Sequence, residues 1–401
     1  MKKILLGTTA LVGASFMATA AFAAPEIRVG GFLDFQVGAT SQDIDNFGPS
    51  PGGFGSVTNE RGYGFINDAE LILRASDKLD NGLAWAVKIE LEAGSDEAND
   101  NADETTLTLS GTWGRMVFGN DDGPVDTMKI GGKTAVGDAG TGGIGGNFRR
   151  WVGWNTVNPS LHDNDMDVAD SSDAIKIMYH TPRIAGFQAG VSFSPNNSDT
   201  AQDRVSDGAI ATLGDDTIAT SVQENWVELG VGYDQTFDQV RVRVAAVYSH
   251  ADAQNDSTTI GFEDVRAYGI GAAVTFGGFT VSAGYANDGD SQQARGKSNS
   301  DVSSWGVGLG YNMGAWDFGL SYYKAKAGAN SRSYAATGLS GDDELQVVSA
   351  GVTYELGAGL TVYTELTWFD TEASSSASIT STQTVGNNSG VTLISGIAVE
   401  F

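Results

Sequence analysis

Basic side chains sit inside strand-like stretches whose other positions are apolar. Arg28 lies between Ile27 and Val29, Arg74 follows Leu73, and Lys88 separates Val87 from Ile89. A period of two puts the apolar residues on one face of a strand and these cations on the other. Arg241 and Arg243 repeat the pattern between Val240, Val242 and Val244. Cations arrayed along the polar face of a sheet do electrostatic rather than covalent chemistry. They attract anions and set up a field against any carboxylates they face.

The carboxylates are grouped elsewhere. Residues 120–172 form the longest polar stretch, with Asp121, Asp122, Asp126 and Asp138 before a glycine-dense segment at Gly142–Gly146. It ends in a run of Asp163, Asp165, Asp167, Asp170 and, just beyond, Asp173. That run begins like an EF-hand, but Val168 stands where the turn glycine belongs and Ala174 where the bidentate glutamate belongs. An EF-hand is excluded, and a solvated acidic loop is the better reading. A loosely held Ca²⁺ or Mg²⁺ at Asp163, Asp165 and Asp167 is the alternative, and no other cofactor is expected. His162, His180 and His250 are scattered, and no Gly-x-Ser-x-Gly elbow occurs. The chain does not read as an enzyme.

Whole-chain composition narrows the class further. Cysteine is absent, which excludes disulfides and thiolate metal sites. The formal net charge is −27, so nucleic acid is not an expected partner. Lys2 and Lys3 precede an apolar stretch from Ile4 to Met17, and Ala21-Phe22-Ala23 follows. Residues 1–23 therefore read as a secretory signal peptide, with 24–401 as a single mature domain. No later apolar run approaches the ~18 residues a membrane helix needs.

The elements that hold these charges are alternating segments of about strand length. The clearest sets Leu83, Trp85, Val87, Ile89 and Leu91 against Ala84, Ala86, Lys88, Glu90 and Glu92. Sixteen such segments can be read, the last ending on Phe401. Their joints alternate between tight and long. Tight ones fall at Asp77–Gly82, Trp113–Gly114, Thr181–Gly186, Asp234–Asp238, Gly277–Gly278, Asn312–Ala315 and Gly357–Gly359. Long polar ones lie near 40–60, 94–103, 120–172, 195–223, 250–263, 286–301, 327–343 and 371–389. A soluble sandwich has no reason to keep every short turn at one end. A meandering barrel that crosses a membrane does, because one rim faces the periplasm and the other the outside. Aromatics mark both ends of the apolar stripes, with Tyr233, Phe276, Phe279, Tyr311, Trp316, Tyr354 and Phe401 beside tight joints. Tyr248, Tyr285, Tyr322 and Trp368 lie at the opposite ends, as two interfacial girdles require.

In its order of segments the chain resembles the Gram-negative general-diffusion porins. The resemblance rests on Asn67-Asp68-Ala69-Glu70-Leu71-Ile72-Leu73, Leu79-Asp80-Asn81-Gly82-Leu83-Ala84-Trp85, Gly111-Thr112-Trp113-Gly114-Arg115-Met116-Val117-Phe118-Gly119 and Tyr179-His180-Thr181-Pro182-Arg183-Ile184-Ala185-Gly186-Phe187, and it covers nearly all of 24–401. It implies an all-β, sixteen-stranded antiparallel transmembrane barrel with short periplasmic turns and long extracellular loops. It implies a homotrimer in the outer membrane, among lipid and lipopolysaccharide, passing ions and small hydrophilic solutes. Residues 120–172 would be the third loop, folded inward to set the narrowest cross-section. The loop acids Asp121, Asp122, Asp126 and Asp138 would then face a basic wall of Arg28, Arg74 and Lys88, with Arg241 and Arg243 extending it from the far side. Net acidity favours a mild preference for cations. Phe401 occupies the family's assembly-signal position. Two alternatives are a substrate-selective porin for a sugar or an anion, and a secreted calcium-dependent structural β protein. A sugar pore would need an aromatic track in the lumen, for which Phe32, Tyr323 and Tyr363 are the inward candidates.

Overall fold

The computed structural model describes residues 25–45, 62–93, 102–137, 143–152, 166, 168–197, 223–253, 261–293, 295–296, 301–328, 341–372 and 387–401. The signal peptide, Asp138, Asp163, Asp165 and Asp167 lie outside the described residues. Before the long loop run β1 (Glu26–Asp45), β2 (Tyr63–Lys78), β3 (Ala84–Glu92), β4 (Thr105–Gly111) and β5 (Gly114–Asn120). After it come β6 (Ile175–His180), β7 (Phe187–Asn196), β8 (Gln223–Phe237), β9 (Val240–Ala253) and β10 (Val265–Phe276). The meander continues through β11 (Phe279–Gly289), β12 (Val302–Met313) and β13 (Trp316–Gly328). It ends with β14 (Asp342–Gly357), β15 (Leu360–Glu372) and β16 (Asn387–Glu400). Each strand pairs antiparallel with its chain neighbours, and β16 pairs with β1, closing a sixteen-stranded barrel.

Alternation sets which face is which. Leu320 is 50% exposed on β13, and Ile270 54% on β10, while the residues between such positions point inward and are covered. A barrel can leave that stripe outward only where its solvent is lipid, since closure already satisfies the backbone. Aromatics band this surface at both rims. Phe279 stacks on Tyr311 at 4.3 Å between centroids, and Trp316 meets Tyr354 at 4.4 Å, all beside tight turns. At the other rim Trp305 meets Tyr322 at 5.1 Å, and Tyr268 meets Tyr285 at 6.3 Å.

The tight joints fall where expected, within a residue or two, with one correction. Leu79 N–H bonds to the Leu83 carbonyl at 2.8 Å, and Gly82 takes the left-handed φ of 89° that this turn demands. The Asp234–Asp238 stretch is not a turn over most of its length. β8 runs on to Phe237, and the reversal is at Asp238 and Gln239. Asp234 stays in the ladder opposite Arg243, and its carboxylate is held by Arg241, so pairing overrides the turn-forming character of an aspartate.

The buried apolar core lies inside the barrel, between the long loop and the wall. Val136, Ile144 and Phe148 of the loop pack with Tyr323, Leu345, Tyr363 and Phe369 of β13–β15. Val125, Met166 and Val168 form a second cluster with Trp226, Val247 and Val265 of β8–β10. The inward aromatics Tyr323 and Tyr363 are therefore covered by the loop, and the track that a sugar pore would need is not on offer there.

Candidate functional site

The inward loop begins where β5 ends. Its first turn is a short helix, α1 (Pro124–Met128), followed by 3-10 turns at Gly132–Ala135 and Asn147–Trp151. α1 lies against β7–β9, and Met128 rests over Gly190 and Gly230. Beyond it the loop backbone runs along glycines of the wall. A Cβ on Gly271 would overlap the Ile130 carbonyl, on Gly308 that of Gly132, and on Gly310 that of Ala135. Only glycine permits main chain to lie this close to a strand.

Hydrogen bonds hold both ends. Glu228, fully buried on β8, accepts from Ser171 N–H at 2.9 Å, Ser171 Oγ at 2.5 Å and Val125 N–H at 3.4 Å. One carboxylate thus joins the outgoing and returning limbs. In the middle, Asn147 Nδ2 donates to Glu365 at 3.2 Å, and Gln36 Nε2 donates to Asn147 at 3.1 Å. Arg150 reaches Asp68 of β2 at 2.7 Å, and Trp151 Nε1 donates to Gln36 of β1 at 3.2 Å. The buried members of this network would be costly to leave unpaired.

The sequence-derived charges divide into three groups. Arg28, Arg74 and Lys88 are register partners on β1, β2 and β3, a row of like charge. Arg28 pairs with Glu26 at 2.7 Å, Arg74 approaches Glu90 at 3.8 Å, and Lys88 contacts Glu90, Glu104 and Asp121. Among the described residues, Lys88 is the one of the three that meets a loop acid, with 3.5 Å to Asp121. This differs from the expected confrontation across open water. Asp121 directly follows β5, two strands from β3, so it meets Lys88 along the same wall. Asp126 of α1 is taken by Lys129, three residues on and just past the end of the helix. On the far side Arg241 grips both oxygens of Asp234, at 2.7 and 2.5 Å. The Nε of Arg243 is buried with no hydrogen-bond partner among the described residues.

Asp122 belongs to a crowded acidic cluster. One oxygen each of Glu104, Asp122 and Asp173 lies within 4.8 Å of the others, a spacing that suits a hard cation. Lys176, 2% exposed, already places its ammonium on the carbonyls of Asp121 and Ser172 beside them. Burial first, then the charges of Asp126, Asp173 and Asp170, push the Asp122 carboxyl up to about 7. Burial and then Glu228 push Asp170 up to about 6. Both acids thus favour the neutral form when the loop is packed. Their contribution to loop packing is full below the ordinary carboxylate range and is lost as pH rises through 6 to 7. Lowering pH from 8 to 5 is expected to remove loop charge, shrinking any cation preference with an inflection near neutrality. Reversal potentials measured across that range check this, and an Asp122→Asn channel should show a flatter profile.

Glu228, Lys176, Glu365 and Asn147 were not picked out from sequence. Glu228 had a signal, since the outward stripe of Val227 and Leu229 forces it inward. Its partner in the returning limb had none.

Known proteins share this architecture. A model of the Gram-negative porin family matches residues 7–374. An outer membrane porin protein of Bordetella pertussis is 25% identical, with 90% of this chain and 93% of that protein covered. An uncharacterized protein of Rickettsia conorii is 22% identical over 86% of each. Among solved structures, an anion-selective porin from Comamonas acidovorans superposes with a TM-score of 0.59 at 17% identity, covering 94% of this chain and all of that one. The trimer form of OmpT from Vibrio cholerae gives a TM-score of 0.54 at 16% identity, with 94% and 100% coverage. The closed barrel, its lipid-facing stripe, its inward loop and this family match agree: the chain belongs to the Gram-negative porins, channel proteins of the outer membrane.

Proposed function

We propose that this porin is a general-diffusion channel with a mild preference for cations, passing ions and small hydrophilic solutes. It works as a homotrimer embedded in outer-membrane lipid and lipopolysaccharide, and the loop of residues 120–172 sets its narrowest section. The observation that carries this reading is the loop pinned along the inner wall, with Asp121, Asp122 and Asp126 on its outgoing limb. Fixed acids at a narrow point enrich cations and repel anions of equal size. The trimer is supported by the Vibrio cholerae relative, whose solved form is a trimer.

An anion-selective pore is the second reading, favoured by the Arg28–Arg74–Lys88 row and by the selectivity named for the Comamonas acidovorans porin. The two readings differ in sign. In a planar bilayer under a KCl gradient, a general-diffusion channel of this charge gives a reversal potential of cation sign. Asp121→Asn should move it toward zero by removing one loop carboxylate, while Lys88 keeps Glu90 and Glu104. A reversal potential of anion sign would replace the first reading with the second.

A further inference from the structure

A group of arginines on the wall opposite β1–β3 makes no ion pair with the loop among the described residues. Arg183 stands on the turn between β6 and β7, and Arg241 and Arg243 are lumen-facing on β9. All three surround one carboxylate, Asp234 of β8. Arg241 takes both its oxygens, Arg183 lies 3.5 Å from one of them, and Arg243 is its register partner. Three guanidinium groups against one carboxylate leave two positive charges uncompensated. Arg243 is the most constrained of them. Ala245 and Ala273, next to it on the lumen face, are roofed by Ile130 of the loop, and its Nε is buried without an acceptor among the described residues. A buried guanidinium nitrogen without a partner is costly, and an oxyanion is the group that satisfies a guanidinium best.

We propose that Arg183, Arg241 and Arg243 form a binding site for a dianionic oxyanion, of the phosphate class, at the periplasmic mouth. Asp234 holds Arg241 in place, and the ligand contacts Arg243 and Arg183. Two uncompensated charges match a dianion better than chloride or a monocarboxylate. The position near the β8–β9 turn puts the site at the exit of the pore, reached from the periplasm without passing the loop. This rests on the chain being an open channel, so the test reads both properties separately.

Single channels in a planar bilayer would first be recorded in KCl alone, which reports the channel itself. Inorganic phosphate is then added to each side in turn, with acetate at matched ionic strength as the monoanion. The site requires phosphate to reduce the current in a saturable way, more strongly from the periplasmic side, with acetate inert. Arg243→Met should raise the half-blocking concentration roughly tenfold, the loss of one charge-assisted contact. Arg183→Gln, on the exposed turn, should shift it in the same direction without touching the buried wall. Ohmic KCl conductance with no phosphate block, or a block unchanged in both variants, overturns the site and leaves the porin intact.

Discussion

Glu228→Leu is expected to free the inward loop from the barrel wall. The substitution leaves Ser171 N–H, Ser171 Oγ and Val125 N–H without their shared acceptor. Each buried donor left unpaired costs about 1–3 kcal/mol. About 5.5 kcal/mol moves a two-state equilibrium from 99:1 to 1:99, so the sum is enough to invert the loop's population. The first measurement is single-channel conductance, which should rise and become noisy as the loop leaves the lumen. The second is limited proteolysis of the folded barrel, which should cut the variant between β5 and β6 and spare the parent. Glu228→Gln keeps an acceptor in place and should fall between the two. A Glu228→Leu channel with the parent's conductance and protease resistance would mean that the apolar clusters alone hold the loop.

The opposite result should follow from adding one methyl group to the wall. Gly308 lies under the Gly132 carbonyl, and a Cβ there overlaps it. The same carbonyl accepts from Ser282 Oγ at 2.9 Å, a bond that a displaced loop must give up. Overpacking of this kind costs about 1–3 kcal/mol and is relieved by moving whichever backbone is softer. The strand is locked in a closed ladder, so the loop moves, and it can move only into the lumen. Gly308→Ala should therefore lower single-channel conductance while the barrel remains folded. Gly306, on the same strand, supplies the control, since the tightest contact of a Cβ there, 3.3 Å, is with the Tyr322 carbonyl of the adjoining strand, and the loop at Gly132 is in ordinary contact at 3.7 Å. Gly306→Ala should conduct like the parent. Equal conductance in all three proteins would show that the wall glycines do not set the loop's position.

The barrel was legible because its information is local. Leu83, Trp85, Val87, Ile89 and Leu91 declare an outward face within one strand, and each tight joint carries its own turn residues. The Asp234–Asp238 error shows the limit of that locality. Asp234 looks like a turn residue until Arg243 is known to lie across from it and Arg241 to hold its carboxylate. The loop's path was less legible still. It depends on contacts such as Gly308 with Gly132 and Glu228 with Ser171, made between segments far apart in the chain. A wall glycine reads in sequence as an inward residue, with nothing to say that backbone will lie on it. The face of each charge follows from the period of two, whereas the pairing of Lys88 with Asp121 follows from how few strands separate β3 from β5. Inward orientation is a period-two property, whereas a partner is a property of the closed ring.

The seam between β1 and β16 has a consequence for how the protein is made. Gln36 pairs with Gly396, and the main chain of Gly31 exchanges hydrogen bonds with Phe401. The first strand to be exported thus receives its second neighbour only when the last has been delivered. Until then both carry bare edges, the state most prone to pairing with the wrong chain. Closure is also the contact with the largest loop entropy to overcome, so it comes late on any route. In the closed barrel β16 stands between β1 and β15, so a chain clipped before its last strand leaves the edges of both unpaired. The final residues therefore complete the hydrogen bonding of the first strand.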